Sequence, residues 1–364
     1  MIEEIEITNK GIKKTLAGMS PEKAIAEYIW NGFDAGATSV RVEARPATQE
    51  METIDQITIA DNGTGIRLEE LNTKFKPYLE SAKAARKSSI KTSHQRGEEG
   101  KGRLSFCMLA KAAVWNTVYV EKGKRYGYTI KINEATLGRY EPSEKREIEA
   151  ANGTVVTLTG VSQDFTTHVV ETVLRDFLRT EFCWYLRLNE KAGKSIELNG
   201  QVLDYRSLML DTGSCTVTHP DSGAKFQIDF IQWEKRQEEY SKLYFLNDSQ
   251  DEKFKRNSRF NNKGDQFYHS LYVTSSFFNN VLISTDTNSD DEMSLPFEAN
   301  QRKAFNFLLT ELDSYLRAKR RNYLAGTSEQ SASCKASQPR LTATTWNKLD
   351  CGSMTASSIS STCD

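Results

Sequence analysis

Apolar positions recur at three- and four-residue intervals from Pro21 to Ala35. At about 100° per residue, Ile25, Tyr28, Ile29 and Phe33 fall on one side, which predicts the buried face of a helix. Ser20 suits the N-cap, Pro21 the first helical position and Gly36 a left-handed stop. Glu27, Asn31 and Asp34 line a second, polar side, flanked by small Ala24 and Ala35. After this helix the period changes to two. Ser39–Arg45 and Ile54–Ala60 alternate and predict a hairpin. Ala113–Val120 and Arg125–Asn133 predict a second hairpin, and Thr154–Thr159 another strand. Leu104–Ala113 reads as an apolar helix, and residues 1–20 as a short strand and helix. Helices on one face of a mixed, mostly antiparallel sheet give a two-layer α/β sandwich of the α+β type.

Beyond Val161 the pattern starts again. Asp164–Arg187 predicts a long helix, followed by a hairpin turning at Asn199-Gly200 and another around Asp221-Ser222-Gly223. Strands at Leu243–Leu246 and Leu271–Thr274 and a helix over Asn300–Tyr323 complete a second α/β domain. The expected boundaries are 1–162, 163–325 and a tail from 326 to 364, rich in Ser, Thr and Ala and expected to be disordered. The basic run Arg317–Arg321 then closes the last helix, where cations complement the dipole; contact with nucleic acid is the other reading.

The chain has 364 residues and a net charge of −1, so no global field points to nucleic acid or to a membrane. It contains no run of eighteen apolar residues, and its N-terminus lacks a signal-peptide pattern; a cytoplasmic protein is expected. No C-x-x-C pair occurs among the six cysteines, and His94, His168, His219 and His269 lack metal or triad spacing.

The chemistry lies elsewhere. The strand ending at Ala60 runs into Asp61-Asn62-Gly63-Thr64-Gly65-Ile66, where two glycines after a carboxylate suit close backbone approach to a ligand. Arg96 to Phe106 places Gly97, Gly100, Lys101 and Gly102 ahead of the next helix, a setting that favours phosphate because unpaired N–H groups and the helix dipole attract anions. Its spacing matches neither the P-loop nor the dinucleotide pattern. Gly153-Thr154-Val155-Val156-Thr157-Leu158 is the fourth piece.

These four pieces, in this order over roughly residues 10–160, resemble the GHKL (Bergerat-fold) ATPase superfamily. The run Glu27 to Thr38 is most similar to the MutL and MORC branch. The resemblance implies an ATP site. Glu27 would be the general base, Asn31 the Mg²⁺ ligand, and Asp61 the carboxylate that accepts the adenine amino group. Gly63, Gly65 and Ile66 would shape the base pocket, Thr157 would hold adenine through water, and Asp34 would share the polar stripe. Gly97, Gly100, Lys101 and Gly102 would wrap the phosphates, and Lys74–Arg96 would be the lid. The second domain resembles a transducer, from which Lys263 would reach the γ-phosphate, with Lys253 and Lys255 as alternatives. Glu98 and Glu99 depart from expectation by placing like charge in the phosphate loop. The function implied is a Mg²⁺-dependent, ATP-hydrolysing clamp that dimerises on ATP and acts on DNA or a protein partner. A chaperone of the heat-shock-ninety type is the alternative, although that family's long acidic linker is absent.

Overall fold

The computed structural model describes residues 8–48, 52–75, 102–237, 241–261, 263–279 and 298–336. The chain divides into two compact units, Met1–Tyr315 and Leu316–Asp364. In the first, α1 (Asn9–Leu16) is capped by Thr8, whose side chain accepts from Gly11 N. Next, α2 (Pro21–Asp34) starts at Ser20, whose Oγ accepts from Lys23 N at 3.3 Å. It ends ahead of Gly36, in the left-handed region at φ +78°, as the sequence predicts.

The first sheet takes β1 (Ser39–Pro46), β2 (Ile54–Asp61), β3 (Ala112–Glu121), β4 (Lys124–Asn133), short β5 (Glu141–Pro142) and β6 (Arg146–Glu147), and β7 (Gly153–Thr159). It also takes β8 (Ser195–Leu198) and β9 (Gln201–Val202), in the order β5-β4-β3-β7-β2-β1-β8-β9 with β6 on β4. Neighbours are antiparallel except β1 and β8, which run parallel with Ser39 opposite Ser195. Alternation sorts the faces. Val40, Val42, Ile57, Ile59, Trp115 and Leu158 are buried under the helices, whereas Arg41, Thr58 and Thr157 point the other way. Each such apolar side chain contributes about 1.5–3 kcal/mol through burial.

A short helix, α3 (Thr167–Val169), passes through a π-turn at Val170–Leu174 into α4 (Arg175–Leu188). The second sheet follows: β10 (Met209–Thr218), β11 (Lys225–Trp233), β12 (Lys242–Leu246), β13 (Glu252–Asn257) and β14 (His269–Thr274), in the order β10-β11-β14-β12-β13. Helix α4 carries the core from one sheet to the other. Trp184 stacks on Tyr244 at 5.8 Å and Tyr244 on Tyr272 at 5.1 Å, while the Tyr272 hydroxyl donates to Trp184 O at 3.2 Å. One hydrophobic core therefore runs from Ile12 to Tyr272.

Four features differ from the sequence reading. The helix expected over 104–113 is only a 3₁₀ turn, Gly102–Met108, because Ala113, Trp115, Thr117 and Tyr119 alternate and pair with β4 on one side and β7 on the other. Strand β13 was not foreseen, since its Lys253 and Lys255 alternate with Glu252 and Phe254 in a run that reads as charged. The first sheet draws β8 and β9 from beyond residue 162. Finally, α5 (Ala299–Ala336) continues past 325, so Arg317–Arg321 lies inside a helix and the dipole account of that run fails. Residues 337–364 lie outside the described residues.

Candidate nucleotide site

The end of β2 and one side of α2 converge. Asp61, the last residue of β2, turns its carboxylate toward the helix layer, where Oδ1 accepts from Gly63 N at 2.8 Å and from Thr154 N at 3.3 Å. Oδ2 has no hydrogen-bond donor among the described residues. Three glycines make room for Asp61, two beside its side chain and one beside its main-chain carbonyl. A β-carbon at Gly32 would lie 2.9 Å from Asp61 Cβ, one at Gly63 2.9 Å from Asp61 Oδ1, and one at Gly153 2.2 Å from Asp61 O. Burial pushes the Asp61 carboxyl pKa above its ordinary value, and the two N–H bonds oppose that rise.

The loop beyond Asp61 is fixed from both sides. Asn62 Oδ1 accepts from Thr38 N (2.9 Å) and Ser39 N (3.0 Å), tying the loop to the start of β1. Asn152 Nδ2 donates to Gly63 O at 2.9 Å. Gly65, at φ +73°, lies so close to β3 that a β-carbon would meet Val118 O at 2.1 Å. Ile66 N then donates to Thr117 Oγ1 at 2.8 Å, and Thr117 Oγ1 is 3.1 Å from Thr154 Oγ1.

The second cluster lies on the polar stripe of α2. A β-carbon at Gly102 would lie 2.7 Å from Glu27 Oε2 and 3.6 Å from Asn31 Nδ2. The chain is held there by two bonds: the Tyr28 hydroxyl donates to Arg103 O at 3.0 Å, and Ser105 Oγ lies 3.1 Å from Ala24 O. Glu27 is half-buried and Asn31 exposed. Gly32 connects the clusters, since it follows Asn31 in the chain and touches Asp61.

The structure thus brings together Glu27, Asn31, Gly102, Asp61, Gly63, Gly65 and Ile66. Other predicted residues fall elsewhere. Thr157 pairs with Thr58 on the opposite face of the sheet, and Thr154, which pairs with Asp61, stands where Thr157 was expected. The charge of Asp34 acts on Lys194 and Tyr185, beyond the stripe's other two members; burial lowers the Lys194 pKa and Asp34 opposes that. Lys263 lines a cleft of about 240 Å³ with Arg236, Gln237 and Gln266. Lys255 Nζ sits 5.7 Å above the Trp184 ring. Gly97, Gly100 and Lys101, with nearly all of the expected lid, lie outside the described residues. Gly32, Thr117, Asn152 and Thr154 were not singled out beforehand. Gly32 carried a signal, because a glycine inside a helix costs about 1 kcal/mol and its presence asks for a close neighbour.

Residues 19–158 match the family described as histidine kinase-, DNA gyrase B-, and HSP90-like ATPase, and this stretch covers both clusters. The segment belongs to that family. Within this ATPase domain Glu27 lies on α2 and Asp61 ends β2. Two solved structures are similar at low identity. One is the N-terminal domain of a DNA repair protein (12% identity, TM-score 0.42, covering 85% of this chain and 98% of that one). The other is the Aquifex aeolicus MutL ATPase domain complexed with ADP (15%, 0.36, 70% and 91%). No curated protein matches the chain.

Proposed function

We propose that this chain is a Mg²⁺-dependent, ATP-operated switch whose pocket is built from Asp61, Glu27, Asn31 and Gly102. The observation that carries this reading is the pairing of a caged, half-satisfied carboxylate with a second carboxylate set against a glycine backbone. Asp61 Oδ2 accepts a hydrogen bond from the adenine amino group, and Gly32 and Gly63 leave the space that the Asp61 side chain occupies. At the other end Glu27 accepts a proton from the water that attacks the γ-phosphorus. The bond to the β-phosphate oxygen breaks, and ADP and phosphate leave. Asn31 would hold Mg²⁺, which would supply charge neutralisation at the phosphates. Gly102 fits beside both side chains because any β-carbon there would displace Glu27.

Lys263 is proposed as the lysine that meets the γ-phosphate, and nucleotide-dependent pairing of two copies as the output, beyond the matched residues 19–158. DNA is the proposed effector. Stimulation of the ATPase rate by double-stranded DNA, with a doubling of mass in a non-hydrolysable analogue, would support both.

The direct test is Glu27→Ala. Analogue binding should stay within about threefold of wild type while single-turnover hydrolysis falls by at least about 100-fold, the lower end for loss of a general base. Unchanged turnover would remove Glu27 from this role.

A further inference from the structure

The polar stripe of α2 has an aromatic residue on each flank, and these two residues hydrogen-bond to different elements. At about 100° per residue, Tyr28 lies about 100° to one side of Glu27 and Trp30 about 60° to the other. On the first flank the Tyr28 hydroxyl donates to Arg103 O at 3.0 Å, next to Gly102. On the second flank Trp30 Nε1 donates to Glu181 Oε1 of α4 at 3.1 Å, with both residues only 5% exposed. The Trp30 ring also packs on Phe182 at 4.5 Å and Tyr185 at 4.8 Å.

We infer that Tyr28 and Trp30 are positioning residues that fix the rotation of α2 about its own axis, and so the direction of Glu27 and Asn31. This rests on the reading of Glu27 as the hydrolytic base. Side-chain tips lie about 5–6 Å from a helix axis, so a turn of about 20° moves them by about 2 Å. A misplacement of 1 Å in a catalytic group can lower a rate about 100-fold. A helix packed only by apolar contacts can roll by such an amount, since those contacts have no preferred direction. Two hydrogen bonds on opposite flanks resist rolling in both senses. The second of them reaches past the nucleotide sheet: Glu181 belongs to the helix whose Trp184 stacks on Tyr244 of the second sheet.

The test compares Trp30→Phe, Tyr28→Phe and Glu181→Gln in the full chain. The first two keep a ring in place and remove one donor; the third keeps an acceptor for the indole. Non-hydrolysable ATP analogue affinity, single-turnover hydrolysis and melting temperature are measured for each. Trp30→Phe and Tyr28→Phe should each lower turnover at least tenfold with analogue affinity within threefold of wild type, and Glu181→Gln should keep turnover within threefold. A Trp30→Phe protein that melts earlier yet hydrolyses at the wild-type rate would overturn the inference, as would a Glu181→Gln loss equal to that of Trp30→Phe. Should Trp30→Phe fail to fold, Tyr28→Phe decides by the same criterion. Glu27→Ala run alongside separates the two levels: if it hydrolyses normally, the parent reading falls and this one with it. If it is inactive while both phenylalanine variants match wild type, only the positioning role falls.

Discussion

At the scale of single residues, Asp61 sets binding against stability. Its carboxyl pKa is raised above the unfolded value by burial. A group raised in this way adds stability that is fully present below its unfolded pKa and lost as pH rises through its folded pKa; at neutral pH it therefore burdens the empty protein. Asp61→Asn removes that burden while keeping an oxygen for Gly63 N and Thr154 N. The variant should melt at a higher temperature than wild type at pH 7 without nucleotide, and should bind ATP at least about 100-fold more weakly. A lower melting temperature would contradict the assigned burial cost. The same shift predicts that ATP affinity, measured by calorimetry across pH, declines on acidification sooner than an ordinary aspartate would allow, because the protonated carboxyl has lost its charge as an acceptor.

At the scale of elements, two glycines make opposite predictions. A β-carbon at Gly102 meets the far end of a flexible side chain, Glu27 Oε2, so Gly102→Ala should lower turnover while leaving the melting temperature close to wild type. A β-carbon at Gly153 meets main chain, Asp61 O, at φ +143°, so Gly153→Ala should cost more than about 1 kcal/mol in denaturant unfolding. Equal effects on stability would undo this distinction. Legibility in the sequence divides along the same line. Helix α2 could be read because its cap, period and stop are local: Ser20, the Ile25–Phe33 face and Gly36 each act within a few residues. The hairpin turn at Asn199-Gly200 was equally plain, and both residues have positive φ. What failed depended on distant partners. The choice of Thr157 over Thr154 turns on which residue of β7 faces Asp61, and strand register decides that. The apolar run 104–113 resembles a helix until β4 and β7 claim its end from both sides.

At the scale of the molecule, the two sheets share a core through α4, and this was not visible in a chain read as separate domains split at residue 162. Trp184 lies between Trp30 and Tyr244 in that core. Trp184→Ala should lower stability by about 3–5 kcal/mol, and both sheets should lose amide protection in one transition. Loss confined to one sheet would contradict a shared core. His269 gives the second sheet an acid limit. Burial holds it down to a pKa of about 4, and its ring Nε2 lies 2.7 Å from Ser258 Oγ. A depressed pKa means stability that is present above the unfolded value and lost as pH falls toward the folded one. Unfolding should therefore set in between pH about 6.5 and 4, and less steeply in His269→Gln. The central claim, that Asp61 reads the base of a nucleotide whose phosphates lie at Glu27 and Asn31, is tested most directly by titrating ATP and GTP into the wild-type chain and into Asp61→Asn. The account predicts ATP binding at least about 100-fold tighter than GTP in the wild type, because guanine presents an oxygen where adenine presents an amino group, and loss of that preference in the variant. Equal affinity for the two nucleotides, or an Asp61→Asn chain that still prefers ATP, would contradict it.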